Sequence, residues 1–143
     1  MRIFISIVLF LCAAIVPAQA CSCIWPDNMT VKKHFEQTDV VFRGVFIGAK
    51  SFESEEYSIL DRVGKFQVLE VLKGDIGAMA DVYYPEDSGA NCGLSFGVGD
   101  EYEVFAGIDD QGRIGTTDCS GTRNACARSE WSWDDYRKVA KKN

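Results

Sequence analysis

The segment Asp39–Ala49, "DVVFRGVFIGA", reads as a β-strand. It is dense in β-branched and aromatic residues, and Val40, Phe42 and Phe46 share one face of an extended chain. The stretch that follows, "KSFESEEYSILD" (50–61), is acidic and polar, as suits an exposed loop or hairpin tip. A second strand follows in "KFQVLEVL" (65–72), where the apolar phase slips between Val68 and Leu69, the pattern of a bulged or strongly coiled strand. "ADVYY" (80–84) is a third strand. "EYEVFAG" (101–107) is a fourth, with Tyr102, Val104 and Ala106 alternating inward, and "RIGTT" (113–117) is a fifth. Between the last two, "DDQG" (109–112) has the Asp and Gly of a tight turn. "GLSFGVGD" (93–100) lacks the spacing of a phosphate-binding loop and reads as a turn before the fourth strand.

Helices are expected on either side of these strands. "DNMTVKKHFEQT" (27–38) places Val31 and Phe35 on one helical face, with Asp27 or Asn28 as the cap. "SEWSWDDYRKVAKK" (129–142) has Ser132 as a cap, Asp134 and Asp135 in the first turn and lysines near the end, the charge order a helix dipole favours. Trp133, Tyr136 and Ala140 share the face that would lie on the strands. The expectation is a mainly β fold: a closed five-stranded Greek-key barrel of the OB type with short flanking helices. A sandwich would call for more strands.

Residues 1–20 carry the marks of an export signal. Arg2 is followed by the apolar run "IFISIVLFLCAAIV", and Ala18-Gln19-Ala20 gives a small-x-small cleavage pattern. The run is short for a membrane span, and no later segment is apolar enough to be one. Gln19 fits poorly in a lipoprotein cleavage motif, so ordinary cleavage is favoured over lipid attachment at Cys21. The expected mature domain is 21–143, secreted, or periplasmic in a bacterial host. Arg2 is the only charge in the signal, so its removal takes the net charge from −6 to −7. An acidic chain of this kind is a poor nucleic-acid ligand.

Conventional catalytic chemistry finds little support. His34 is the single histidine and reads as a surface or partly packed side chain. No nucleophile motif accompanies it, and one imidazole does not make the usual zinc-ligand sets. Glu55-Glu56 and Asp134-Asp135 are adjacent solvated pairs rather than two carboxylates facing a substrate. The expectation is a protein without enzymatic activity and without a cofactor of its own.

The cysteines carry more. Cys12 leaves with the signal, and Cys21, Cys23, Cys92, Cys119 and Cys126 remain. Export makes disulfides the default, and an odd number leaves one thiol over. "CSC" (21–23) admits three readings: a redox couple, a structural anchor, or an anchor that also presents a functional terminus. No thioredoxin-like strand-to-helix turn surrounds it, so an anchor is favoured.

Cys21-Ser22-Cys23 directly after cleavage, "DVVFRG", "FQVLEVLKG", "CGLSFGVGDEYEVFAG" and Cys119 in "TTDC" together resemble the inhibitory domain of the tissue inhibitors of metalloproteinases, within the wider netrin-like module family. The resemblance spans Cys21 to Cys119. It implies an OB-type barrel and two bridges, Cys21–Cys92 and Cys23–Cys119, with Cys126 unpaired. It also implies a partner class, zinc metalloendopeptidases. The amine and carbonyl of Cys21 would chelate the partner's catalytic zinc, and Ser22 would enter the adjacent specificity pocket. Cys23, Ile24 and Trp25 would continue along the cleft, beside Ser88, Gly89, Ala90, Asn91 and Cys92. A netrin-like binding module without inhibition, or a lipid-anchored envelope protein, are the alternatives. The sequence departs from the animal family in three ways. No second disulfide-rich domain is expected after Cys119. No cysteine between Cys23 and Cys92 serves a third bridge. Trp25 adds bulk that either alters target choice or packs on the barrel. Asn28-Met29-Thr30 is a glycosylation sequon, meaningful in a eukaryotic host. The chain is expected to be a monomer unless Cys126 bridges two copies.

Overall fold

Five strands close on themselves in a computed structural model that describes residues 23–51, 53, 60–88 and 93–142. The strands are β1 (Val40–Ser51), β2 (Arg62–Lys73), β3 (Met79–Tyr84), β4 (Glu101–Ile108) and β5 (Ile114–Gly115). Around the barrel they run β1-β2-β3-β5-β4, and β4 returns to pair with β1. Every pairing is antiparallel except β3 with β5. This is the Greek-key order of an OB-type barrel.

Closure depends on bending β1 and β2. Their ladder skips a residue three times: Leu72 and Leu69 on β2 are extra against β1, and Ile47 on β1 is extra against β2. Such bulges coil a strand enough to wrap a small barrel. The phase slip at Val68/Leu69 is one of them. Gly44 lies beside it, where a Cβ would fall 2.8 Å from the Gln67 carbonyl oxygen.

Two cores result. Inside the barrel, β1 supplies Val40, Phe42 and Phe46, β2 supplies Phe66, β3 supplies Ala80 and Val82, and β4 supplies Tyr102, Val104 and Ala106. Phe96 packs against this core, its ring centroid 4.8–5.3 Å from those of Tyr84, Tyr102, Phe46 and Phe66. The stretch read as a turn thus also packs an aromatic side chain against the barrel core. The second core lies outside the barrel, where Val41 and Phe105 meet helix α1 (Val31–Gln37) through Phe35 and helix α2 (Trp133–Ala140) through Trp133 and Tyr136. Two covered faces explain why Val40, Val41 and Phe42 are all fully buried in succession.

The helix ends follow from their caps. Ser132 caps α2 as expected: its hydroxyl accepts from the Asp135 N–H and donates to the Asp135 carboxylate at 2.7 Å. That hydrogen bond holds the Asp135 carboxyl at about 2. At α1 the cap is Thr30, whose hydroxyl accepts from the Lys33 N–H at 3.3 Å, so Asp27 and Asn28 lie three and two residues too early. Glu70 on β2 fastens α2 to the barrel. It accepts from Trp133 Nε1 at 2.8 Å and from Arg137 Nε and Nη2 at 2.8 and 2.6 Å, and the Arg137 bonds lower its carboxyl to about 2. A two-residue strand β6 (Arg123–Asn124) extends the sheet beyond β4, and β5 is shorter than the five residues expected. Among the described residues no helix is long and apolar enough to cross a membrane.

Candidate functional site at the stapled N-terminal edge

Cys119 lies on a short 3₁₀ turn, Asp118–Ser120, just after β5. Thr117 and Ser120 cap one another across it, and Gly121 closes it in the left-handed region at φ +86°, where a side chain would be strained. Thr116 ties the turn to β4: its hydroxyl donates to the Phe105 carbonyl at 2.7 Å and lies 2.7 Å from the Thr122 hydroxyl. Cys23 is bridged to this platform, with Cα atoms 5.2 Å apart across 96 residues of chain. The Cys23–Cys119 pairing is therefore present.

From the bridge the chain passes Ile24, which is 94% exposed, and reaches Trp25, which is half-buried. The Trp25 ring lies 4.8 Å from the His34 ring and 6.1 Å from the Trp131 ring. A turn with the Met29 N–H on the Pro26 carbonyl then leads into α1. One exposed aliphatic side chain thus stands between a covalent anchor and an aromatic one. Trp25 packs on the outside of the barrel, one of its two expected roles.

His34 is buried, which corrects the expectation of a surface or partly packed side chain. Its Nε2 is 3.0 Å from the Ser120 carbonyl oxygen and its Nδ1 is 2.6 Å from the Tyr136 hydroxyl. A carbonyl can only accept, so Nε2 carries the proton and, in the neutral ring, Nδ1 accepts from Tyr136. Burial lowers the His34 pKa below 6.5 and raises that of Tyr136 to about 12. Val31, His34 and Phe35 occupy the i, i+3, i+4 positions of one helical face, so the burial had a signal in the sequence. The partner did not, because Tyr136 is 102 residues away.

Grooves flank Trp25 on both sides. One of about 620 Å³ is lined by Cys23, Ile24, Met29, Gln37 and Gly107, among others. The other, of about 570 Å³, reaches Trp131 and Arg128. Nearby, Arg123 lies 5.4 Å from the Phe105 ring and 5.9 Å from that of Tyr136, and its Nη2 is 2.6 Å from the buried Glu103 carboxylate. The Arg123–Glu103 contact is an ion pair.

Beyond β3, the segment leading to Ser88 is pinned to Leu94: the Leu94 N–H donates to the Pro85 carbonyl at 2.8 Å and the Asp87 N–H to the Leu94 carbonyl at 3.2 Å. Gly93 permits this approach, because a Cβ there would sit 2.3 Å from the Glu86 carbonyl oxygen. Ser88 itself is exposed. Cys126 is exposed and unbridged, as expected. Of the expected ridge, the structure brings Cys23, Ile24 and Trp25 together beside Cys119. The remaining ridge positions (Cys21, Ser22, Gly89, Ala90, Asn91 and Cys92), the Cys21–Cys92 pairing, Glu55-Glu56 and the signal all lie outside the described residues. The sequence matches no protein-family model and no curated protein.

Proposed function

We propose that the chain is a secreted inhibitor of zinc metalloendopeptidases, acting through its N-terminal edge. In this reading signal cleavage makes Cys21 the first residue. Its α-amine nitrogen and its carbonyl oxygen then chelate the partner's catalytic zinc at the position otherwise held by water. Ser22 enters the pocket beyond the metal. The segment mimics part of a substrate without offering the partner a bond to cleave, so the chain itself catalyses nothing.

The supporting observation is the bridge from Cys23 to Cys119, two residues from the proposed ligand. A segment already tied to a barrel loses little ordering entropy when it docks. The exposed Ile24 supports the same reading, because an aliphatic side chain held out between two anchors suits an apolar subsite in a partner's cleft.

Chelation requires an unprotonated amine. A free terminal amine has a pKa of about 8, so binding near neutrality releases its proton. Inhibition is therefore expected to weaken as pH falls below neutrality. The test is titration of a panel of zinc endopeptidases with the mature chain, after intact mass has established a free Cys21 amine. Loss of activity that saturates with inhibitor, and is weaker in acid, supports the proposal. A free amine with every enzyme fully active, or potency equal in acid and base against a protease whose own zinc site is intact at both, counts against it.

A further inference from the structure

Among the described residues, His34 touches Trp25 and the turn that carries the bridged Cys119. Its Nε2 bonds the carbonyl of Ser120, the residue after the bridged Cys119. Its Nδ1 bonds Tyr136 on α2, and its ring meets Trp25 at 4.8 Å. Phe105 of β4 lies at 4.8 Å and Trp131 at 5.9 Å. Gly121 completes the enclosure: a Cβ there would come within 3.0 Å of the ring.

We propose that His34 is a positioning residue for the N-terminal edge, and that protonating its ring releases Trp25 and loosens the segment Cys23–Trp25. Its bearing on function rests on the inhibitory reading of the same edge, whereas the chemistry of the ring does not.

Both ring nitrogens are committed, one as donor and one as acceptor. Adding a proton at Nδ1 converts the acceptor into a donor and sets it against the Tyr136 hydroxyl proton. That hydroxyl must then turn, and Tyr136 is fully buried. The groups around the ring give the new charge little support. β4 presents Phe105, and α2 presents Tyr136. β6 presents the cation Arg123, whose field opposes a second positive charge and whose own counter-charge, Glu103, is already engaged. The 3₁₀ turn presents a carbonyl that is already bonded, with the Asp118 side chain exposed to water. The N-terminal segment presents Trp25, with Asp27 exposed. On α1 itself the neighbouring Lys33 is exposed. Burial and Arg123 both favour the neutral ring, in agreement with its lowered pKa. The least costly route for a protonated ring is toward water, and the half-buried Trp25 is the side chain in the way.

His34 is the single histidine of the chain, so its ring resonance can be followed without ambiguity. The experiment is NMR titration of the mature protein, with hydrogen exchange of the Ile24 and Trp25 amides measured across the same pH range. The expected midpoint lies below 6.5. Edge opening should rise by about tenfold for each unit that separates that midpoint from the value of a free ring. His34→Gln should flatten this pH dependence. Trp25→Leu, which changes a side chain outside the barrel core, should raise the midpoint toward 6.5 by admitting water, and it serves as the test should the His34 variant not fold. A midpoint at or above 6.5, edge opening (the amide exchange rate divided by its intrinsic rate at each pH) that is flat through the titration, or a midpoint unmoved by Trp25→Leu overturns the proposal. No protease enters these measurements. Inhibition without edge opening rejects this inference alone, and edge opening without inhibition rejects the inhibitory reading alone.

Discussion

Ile24 and His34 sit ten residues apart and serve the same edge in opposite ways. Ile24 is 94% exposed and contributes almost nothing to the fold, so Ile24→Ala should change unfolding stability by less than about 0.5 kcal/mol. In a complex it would bury its side chain, and the same variant should weaken inhibition by more than about 1 kcal/mol. Thermal unfolding and inhibition measured on one preparation check both halves. His34 faces inward and acts through what it touches. The sequence held half of its story: the i, i+3, i+4 pattern with Val31 and Phe35 places it on the apolar face. Its hydrogen-bond partners come from the far end of the chain and from a turn, and local periodicity carries no trace of contacts made at such separations. Trp25 was ambiguous for the same reason, because the aromatic slot that receives it is assembled from α1 and the segment before α2.

The elements were legible where the physics is local. β1, β3 and β4 follow the alternation of their apolar residues, and α2 follows its cap and the charge order along it. The slip at Val68/Leu69 was legible because an extra residue shifts every later side chain to the other face. β6 was not, since a two-residue strand is defined by the free edge of β4 rather than by any pattern of its own. The packing of Phe96 against the barrel core was hidden in a glycine-rich stretch for a related reason: its neighbours come from four different segments. Bulges also constrain what their neighbours can be. A Cβ on Gly44 would meet the Gln67 carbonyl oxygen at 2.8 Å and the Phe42 ring at 3.1 Å. Gly44→Ala should therefore destabilise the barrel by about 1–3 kcal/mol in denaturant unfolding, with the cost arising in the β1–β2 ladder.

At the scale of the molecule, a barrel core and an outer core share β1 and β4, and the N-terminal edge rests on the outer one. That arrangement gives stability two separate dependences on acid. His34 has a lowered folded pKa, so its contribution is complete above 6.5 and is lost as pH falls through its folded value. Glu70, lowered from 4.5 to about 2, contributes fully above 4.5 and loses its contribution as pH falls through about 2. Asp135, also held at about 2, shares the second fall, so Glu70→Gln should make that fall in melting temperature shallower and leave the first in place, as a series of thermal melts would show. The closed five-stranded barrel and the Cys23–Cys119 bridge were both anticipated from the sequence, one from strand count and the other from a family resemblance. The central claim concerns the first nitrogen of the mature chain, and one comparison addresses it directly: titrating a single zinc endopeptidase with the mature chain and with a variant carrying one alanine before Cys21, both shown to unfold at the same temperature. Saturating inhibition by the parent and none by the extended chain is the predicted result. Equal inhibition by the two would contradict chelation through Cys21.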